Sequence, residues 1–267
     1  MRISRDPKRL PLSSGSAVTI GNFDGVHRGH RALVERCRER AGRTADVAVV
    51  TFEPLPRYWL DPDTAPPRLT GPGHKLGLLH DAGVDLVWMM RFNARLASMS
   101  AEDFARRVLR DGLRARHVVI GADFRFGRRR EGDVAQLERF GRDFGFGTEV
   151  LPTVERSGLR VSSTAVREAL ATDRLELAGE LLGRPYTHCG RVVRGRQLGR
   201  RLGYPTANLR LPPGGSPLGG IYAVRARVAG GPWRDGIANL GVRPAVGGGE
   251  PLLEVHLFDF HARRRDE

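Results

Sequence analysis

The sequence predicts two folds in tandem: an α/β half built on a parallel sheet, then a smaller all-β half of antiparallel strands. Three observations carry that expectation. From Ser16 to about Gly183, short apolar runs alternate with amphipathic segments, as strands and covering helices do in a Rossmann-like domain. Near Arg184 the helical period stops, and strand-like runs separated by glycine-rich turns take over, as in a small barrel or sandwich. The length of 267 residues is enough for two ordinary domains with a real core. The boundary is expected within 182–188, giving domains of 1–183 and 184–267.

In the first half the strand candidates are 17–20, 47–52, 84–90, 117–120 and 148–151. Helix candidates lie between or after them at 31–40, 74–81, 101–109, 134–140 and 164–170, and Ser100 with Asp103 makes a capping-box-like start for the third. A parallel sheet of this kind holds ligands beyond the carboxyl ends of its strands. Unusual polar residues should therefore collect after strands, and they do so four times.

After the first strand, Gly21-Asn22-Phe23-Asp24-Gly25-Val26-His27-Arg28-Gly29-His30 leads into a helix. Its glycines clear side chains from the turn, and the helix start offers unpaired N–H groups and a positive dipole end to a phosphate. His27 and His30, at i and i+3, share one face of that first turn. On spacing alone, a surface cap or a metal pair explains two such histidines as well. After the second strand comes Thr51-Phe52-Glu53-Pro54-Leu55-Pro56-Arg57, stiffened by proline and ending in a cation. After the fourth comes Gly121-Ala122-Asp123-Phe124-Arg125-Phe126-Gly127, whose phenylalanines also suit a core. After the fifth, Arg160-Val161-Ser162-Ser163-Thr164-Ala165-Val166-Arg167 opens a helix with three hydroxyls between two arginines. Those hydroxyls are good N-caps whatever the function, and Arg167 suits either a surface partner or a phosphate clamp.

Strand candidates in the second half are 191–193, 207–211, 221–228, 236–240 and 252–260. The basic glycine loop from Gly195 through Gly203 leads to Thr206 and Asn208. In extended chain those two side chains point to one face and could share one cation; a solvated loop explains the arginines alone. Along 252–260, alternation sets Glu254, His256, Phe258 and Phe260 on one face and Val255, Leu257 and Asp259 on the other. A carboxylate there is either functional or on an exposed edge, because burying it unpaired is costly.

Composition narrows the partners. With 40% hydrophobic residues and no apolar run long enough to span a membrane, the chain reads as globular, with no membrane partner. Residues 1–11 are basic without an apolar core segment, so no secretory signal is expected. Cys37 and Cys189 lie far apart and suit reduced thiols, which points to the cytoplasm. The net charge of +14 is almost all arginine, Lys8 and Lys75 being the lysines. It is dispersed rather than gathered in a stripe, so nucleic acid is not expected as a partner.

The string 21–30 resembles the G-x-F-D-G-x-H-x-G-H signature of bacterial FAD synthetases, within the wider H-x-G-H nucleotidyltransferases, and 161–167 resembles their I-S-S-T-x-I-R motif. Residues 199–208 are similar to the riboflavin kinase signature, and 254–260 to that enzyme's E-V-H-L-x-D-F strand. The likeness to bifunctional riboflavin kinase/FAD synthetases runs from about Ser16 to Phe260. It implies a Rossmann-like nucleotidyltransferase domain followed by a small antiparallel kinase-like β-barrel. ATP, FMN, FAD and riboflavin would be substrates or products, with Mg2+ as cofactor. His27 and His30 would stabilise charge on the reacting phosphates. Gly21, Asn22, Phe23, Asp24, Gly29 and Asp123 would line the nucleotide site, and Arg160, Ser163, Thr164 and Arg167 would hold the ATP phosphates. In the kinase half, Gly195 and Gly203 would shape the nucleotide loop, Thr206 and Asn208 would sit at Mg2+, and Glu254 would be the base.

Some positions depart from that pattern. Leu55 stands where a histidine is usual, Arg243-Pro244-Ala245 replaces R-P-T, and 261–267 matches none of the family's continuation. The resulting expectation is an incomplete barrel, with kinase activity weak, complemented by a partner or lost. Two alternatives follow: an adenylyltransferase with a flavin-binding kinase remnant, or a non-enzymatic binder on the same fold. Oligomeric state is not legible in the sequence.

Overall fold

The computed structural model describes residues 1–6, 15–193, 204–212, 214–228, 230–241 and 252–260. Gly195, Gly203, Arg243-Pro244-Ala245 and 261–267 lie outside the described residues.

The first half contains β1 (Arg2–Ser4), β2 (Ser16–Ile20), α1 (Arg28–Ala41), β3 (Asp46–Glu53), α2 (Pro56–Leu60), α3 (Pro72–Asp81), β4 (Leu86–Arg91) and α4 (Ala94–Ala97). It continues through α5 (Ala101–Phe104), which runs on as wider π-type turns over Ala105–Gly112, to β5 (Ala115–Gly121), α6 (Val134–Phe144) and β6 (Gly147–Leu151). Six strands form one sheet in the order β1-β4-β3-β2-β5-β6, every pair parallel. From β2 the chain winds outward through β3 and β4, then returns to β5 on the other side. The order therefore reverses between β2 and β5, and the loops leaving these strands flank the crevice where such sheets bind ligands.

Both faces of the sheet are covered, as strand alternation requires. Val18, Ile20, Ala48, Val50, Val118 and Ile120 pack with Phe104, Val108 and Leu137 from the α5 and α6 side. Ala17, Val47, Val49, Val87 and Val119 pack with Val34, Cys37 and Leu79 from α1 and α3. The edge strand β1 was not anticipated. Three residues are too few to show a period, and Ile3 is half exposed.

Beyond β6 lie the hairpin β7 (Glu155–Arg156) and β8 (Leu159–Arg160), then α7 (Ser163–Ala171) and α8 (Leu175–Leu182). The Ser162 hydroxyl caps α7 by accepting the Ala165 N–H at 3.1 Å. Gly183, left-handed at φ 73°, closes α8. These helices bury Val166, Leu170, Leu181 and Leu182 against Leu69 and Val161.

The second half has β9 (Val192–Val193), β10 (Ala207–Arg210), β11 (Gly220–Ala226), β12 (Arg234–Gly241) and β13 (Leu252–Leu257). They form an antiparallel sheet in the order β11-β12-β13-β10-β9. Leu209, Leu240, Leu253 and Val255 supply one apolar face. Among the described residues the sheet is open, with β9 and β11 at its edges, rather than a closed barrel. The expected strand 252–260 stops at Leu257, and Asp259 adopts φ 51°. Phe258 and Phe260 thus leave the alternation that Glu254 and His256 keep. Leu218 packs against both the α7–α8 cluster and the second core, and the Tyr222 hydroxyl donates to Asp173 at 2.5 Å. The halves are in contact.

Candidate active site

The turn between β2 and α1 is a backbone in uncommon conformations held by side chains from elsewhere. Phe23 and Val26 have φ of 49° and 41°, and Gly25 lies at 84°. A Cβ on Gly25 would come within 2.8 Å of Leu69, so glycine is required twice over. Thr51 Oγ1 and Lys75 Nζ donate to the Asn22 carbonyl at 3.1 and 3.2 Å. Ser163 Oγ donates to the Asp24 carbonyl at 2.8 Å, and Arg184 donates to the carbonyls of Gly25 and Val26. Strain of this kind persists only where surrounding groups over-determine it, and it gathers at functional sites.

At the end of the turn His27 caps α1: its Nδ1 accepts the His30 N–H at 3.3 Å. The two imidazoles stack at 3.7 Å between centroids, and Phe23 lies 4.7 Å from the His30 ring. Burial pushes His27 down to about 4, helped by the positive charges of Arg184 and Arg167. Burial likewise holds His30 well below the ordinary imidazole value, with His27 and Lys75 adding to the effect. Both rings are neutral near pH 7. Since Nδ1 of His27 accepts a hydrogen bond, its ring proton resides on Nε2, which is therefore a donor. His30 Nδ1 and Arg31 Nε are buried with no protein partner among the described residues. Such unmet polar atoms at a helix start suit an anionic ligand.

Helix α7 begins against this turn. A Cβ on Gly29 would stand 3.2 Å from the His27 ring and 3.6 Å from the Val161 carbonyl. Glycine there lets the starts of α1 and α7 approach. Ser163 reaches the turn backbone, while Thr164 is exposed at the mouth of the helix.

Four expected site residues are engaged within the protein. The buried Asp24 carboxylate accepts the N–H groups of Leu69 and Thr70 at 3.0–3.1 Å and the Thr70 hydroxyl at 3.2 Å. It also pairs with Arg167, whose Nε donates to the Pro67 carbonyl at 2.6 Å. Arg160 and Asp123, expected separately, form one exposed ion pair at 2.6 Å. Gly21 sits at the end of β2, its N–H donating to the Val50 carbonyl at 3.0 Å. Leu55 is buried at the start of α2.

In the second sheet, register places Glu254 directly opposite Asn208 on β10 and Asn239 on β12. Side chains opposite one another in an antiparallel pair share a face. Asn208 and Glu254 are therefore neighbours away from the apolar core, and Thr206 immediately precedes β10. The His256 ring makes a 2.9 Å contact with the Pro205 carbonyl and an edge contact with Tyr204. An alcohol and an amide carbonyl are hard oxygen donors of the kind that fits Mg2+, with the Glu254 carboxylate beside them on the same face.

Residues 10–165 match the FAD synthetase family model and residues 182–267 match that for riboflavin kinase. The chain is 49% identical over 252 residues to the bifunctional riboflavin kinase/FMN adenylyltransferase of Pseudomonas fluorescens, covering 94% of this chain and 80% of that one. It belongs to the bifunctional riboflavin kinase/FMN adenylyltransferase family. The enzyme of the same name in Escherichia coli K12 is 47% identical over 246 residues, covering 92% of this chain and 79% of that one. A crystal structure described as a macrolide-efflux protein from Streptococcus pneumoniae superposes with a TM-score of 0.82 at 29% identity, over 98% of this chain and 85% of that one. Among the described residues, no helix here is long and apolar enough to cross a membrane.

Several buried side chains that brace the loops around this turn were not foreseen. Lys75 is fully buried, and its Nζ also donates to Thr51 Oγ1 at 3.0 Å. Burial pushes its ammonium down to about 8. A signal was present, because Lys75 is one of two lysines in a chain with 44 Lys and Arg. A compact ammonium fits where a guanidinium fork would not. Arg68 clasps Glu53 through two bonds of 2.8 and 2.9 Å. These contacts, and those of Arg184, span distant parts of the chain and leave no local pattern.

Proposed function

We infer that the chain performs two transfers of flavin cofactor synthesis. In the first half, a phosphate oxygen of FMN attacks the α-phosphorus of ATP, the bond to the β-phosphate breaks, and FAD and pyrophosphate leave. The observation that carries this reading is the stacked, neutral His27–His30 pair at the start of α1, set at the reversal of sheet order and abutting the start of α7. Phosphoryl and nucleotidyl transfer need positioning and charge neutralisation more than covalent catalysis. His27 Nε2–H and the free N–H groups of α1 provide donors for the reacting phosphates. Arg160, Ser163, Thr164 and Arg167 form the proposed grip on the remaining phosphates. Arg167 spends Nε and one Nη on protein partners, so its other Nη is what it offers. Gly21, Asn22, Phe23, Asp24, Gly29 and Asp123 shape the nucleotide site, several through backbone geometry.

In the second half, Glu254 takes the proton from the ribityl hydroxyl of riboflavin as that oxygen bonds to the γ-phosphorus of ATP and ADP departs. Thr206 and Asn208 would hold Mg2+, which would offset phosphate charge when bound. We put the domain boundary at 183/184, a reading supported by the end of α8 at Leu182 and its Gly183 cap. Cytoplasmic residence fits the free thiols of Cys37 and Cys189.

Incubation with riboflavin, ATP and Mg2+, followed by chromatography, tests the reading. FMN and FAD should both appear. Failure to form FAD from supplied FMN would overturn the assignment of the histidine turn.

A further inference from the structure

Four carbonyls of the 22–26 turn are gripped by side chains, and their sources differ. Asn22 and Asp24 are held by Thr51, Lys75 and Ser163, all within the α/β half. The last two carbonyls before His27 are held by a single residue outside it. Arg184 Nη2 donates to the Gly25 carbonyl at 2.6 Å, and Nη1 to the Val26 carbonyl at 3.1 Å.

We propose that Arg184 is a positioning residue for adenylyl transfer, spanning two adjacent carbonyls so that the strained Gly25-Val26 backbone presents His27 in its reacting place. The proposal rests on the assignment of that reaction to the histidine turn.

Geometry supports it from both sides of His27. Val26, a β-branched residue at φ 41°, is an uncommon conformer that relaxes unless held. Arg184 is itself fixed, since its N–H donates to the Gly179 carbonyl at 3.2 Å just past the left-handed Gly183. Arg28, the residue after His27, donates to the Glu180 carbonyl at 2.7 Å. A Cβ on Gly25 would stand 3.5 Å from Leu182. The short segment 180–184 thus clasps the turn before and after the imidazole.

Charge adds a second effect. Among the described residues no carboxylate pairs with Arg184, and burial pushes its guanidinium down to about 10. Its positive charge acts on His27 and disfavours the imidazolium.

Arg184 also falls inside residues 182–267, which match riboflavin kinase, rather than 10–165, which match FAD synthetase. Two residues on, Tyr186 packs with Leu218 against the α7–α8 cluster. The chain leading into the kinase half therefore shapes the centre of the other half.

The test uses the full chain with R184M and R184K, measuring FAD formation from FMN and ATP across pH and riboflavin phosphorylation in the same preparations. R184M should lower kcat for FAD by on the order of a hundredfold with KM for ATP little changed, since misplacement by about 1 Å costs that much. Its acid limb should move to higher pH, because His27 loses a neighbouring cation. Riboflavin phosphorylation should stay at the wild-type rate. R184K keeps the charge without the planar fork, so its acid limb should stay in place while kcat recovers in part, to roughly a tenth of wild type. A purely structural role would lower both activities together and leave the limb unmoved. Wild-type kcat with an unmoved limb in R184M overturns the proposal, and if R184M does not fold, full kcat in R184K does so. A wild-type protein that makes no FAD removes the underlying assignment and this proposal with it.

Discussion

Replacing Asp24 with asparagine should destabilise the α/β half by about 3–5 kcal/mol, the cost of breaking a buried ion pair from one side. The carboxylate is 2% exposed. It accepts from two backbone N–H groups, a hydroxyl and Arg167. An amide of the same shape turns an NH2 group toward donors, so at least one bond becomes a clash of like groups and Arg167 loses its counter-charge. For a domain of this size, each kcal/mol shifts Tm by about 2–4 °C, so the midpoint should fall by roughly 10 °C. Thermal unfolding at pH 7, followed by far-UV circular dichroism, reads this directly. A cycle with Arg167→Met should show the double variant less destabilised than the sum of the single ones, because the second change removes the stranded cation. D24N melting within about 2 °C of wild type would refute the reasoning. Asp24 would then be a surface-like ligand group rather than the knot that ties the turn to Leu69 and Thr70.

Stability should also fall in mild acid. His27 goes from an ordinary 6.5 to about 4 on folding, so between these values the unfolded chain binds the proton first. Its contribution is intact above pH 6.5 and shrinks as pH drops toward 4, by about 2 kcal/mol at pH 5. Urea unfolding at pH 7 and pH 5 should show a smaller drop for His27→Gln than for wild type; equal drops would contradict the burial of a neutral imidazole. Glu254→Gln should abolish FMN formation from riboflavin while FAD formation from supplied FMN continues, and unimpaired phosphorylation would remove Glu254 as the base.

What could be read from the sequence was what lies close along the chain. The histidine turn, the α7 cap and the strand periods each sit within about ten residues, and their signals are local. The register that sets Glu254 opposite Asn208 belongs to the structure, since alternation gives each strand its faces but not its partner. The rest arises from contacts between distant segments. Asp24 to Arg167, Arg184 to Gly25, and Arg160 to Asp123 each join residues that no period connects. Phosphate-seeking arginines and structural arginines look alike in a sequence, and burial distinguishes them. Helix α8 went unread because its apolar positions resemble a short buried run, and β1 because an edge strand of three residues has no pattern to show. The strand through Glu254 was read too long, since left-handed Asp259 ends the alternation where a non-glycine residue gives no warning.

The central claim is that the stacked imidazoles at the start of α1 serve adenylyl transfer. It is tested most directly by measuring FAD formation from FMN and ATP in His27→Ala, with riboflavin phosphorylation in the same preparation as the control. The account predicts a loss of FAD formation by on the order of a hundredfold or more, as for removal of a preorganised donor, with FMN formation from riboflavin unchanged. FAD formation at the wild-type rate in His27→Ala would contradict it.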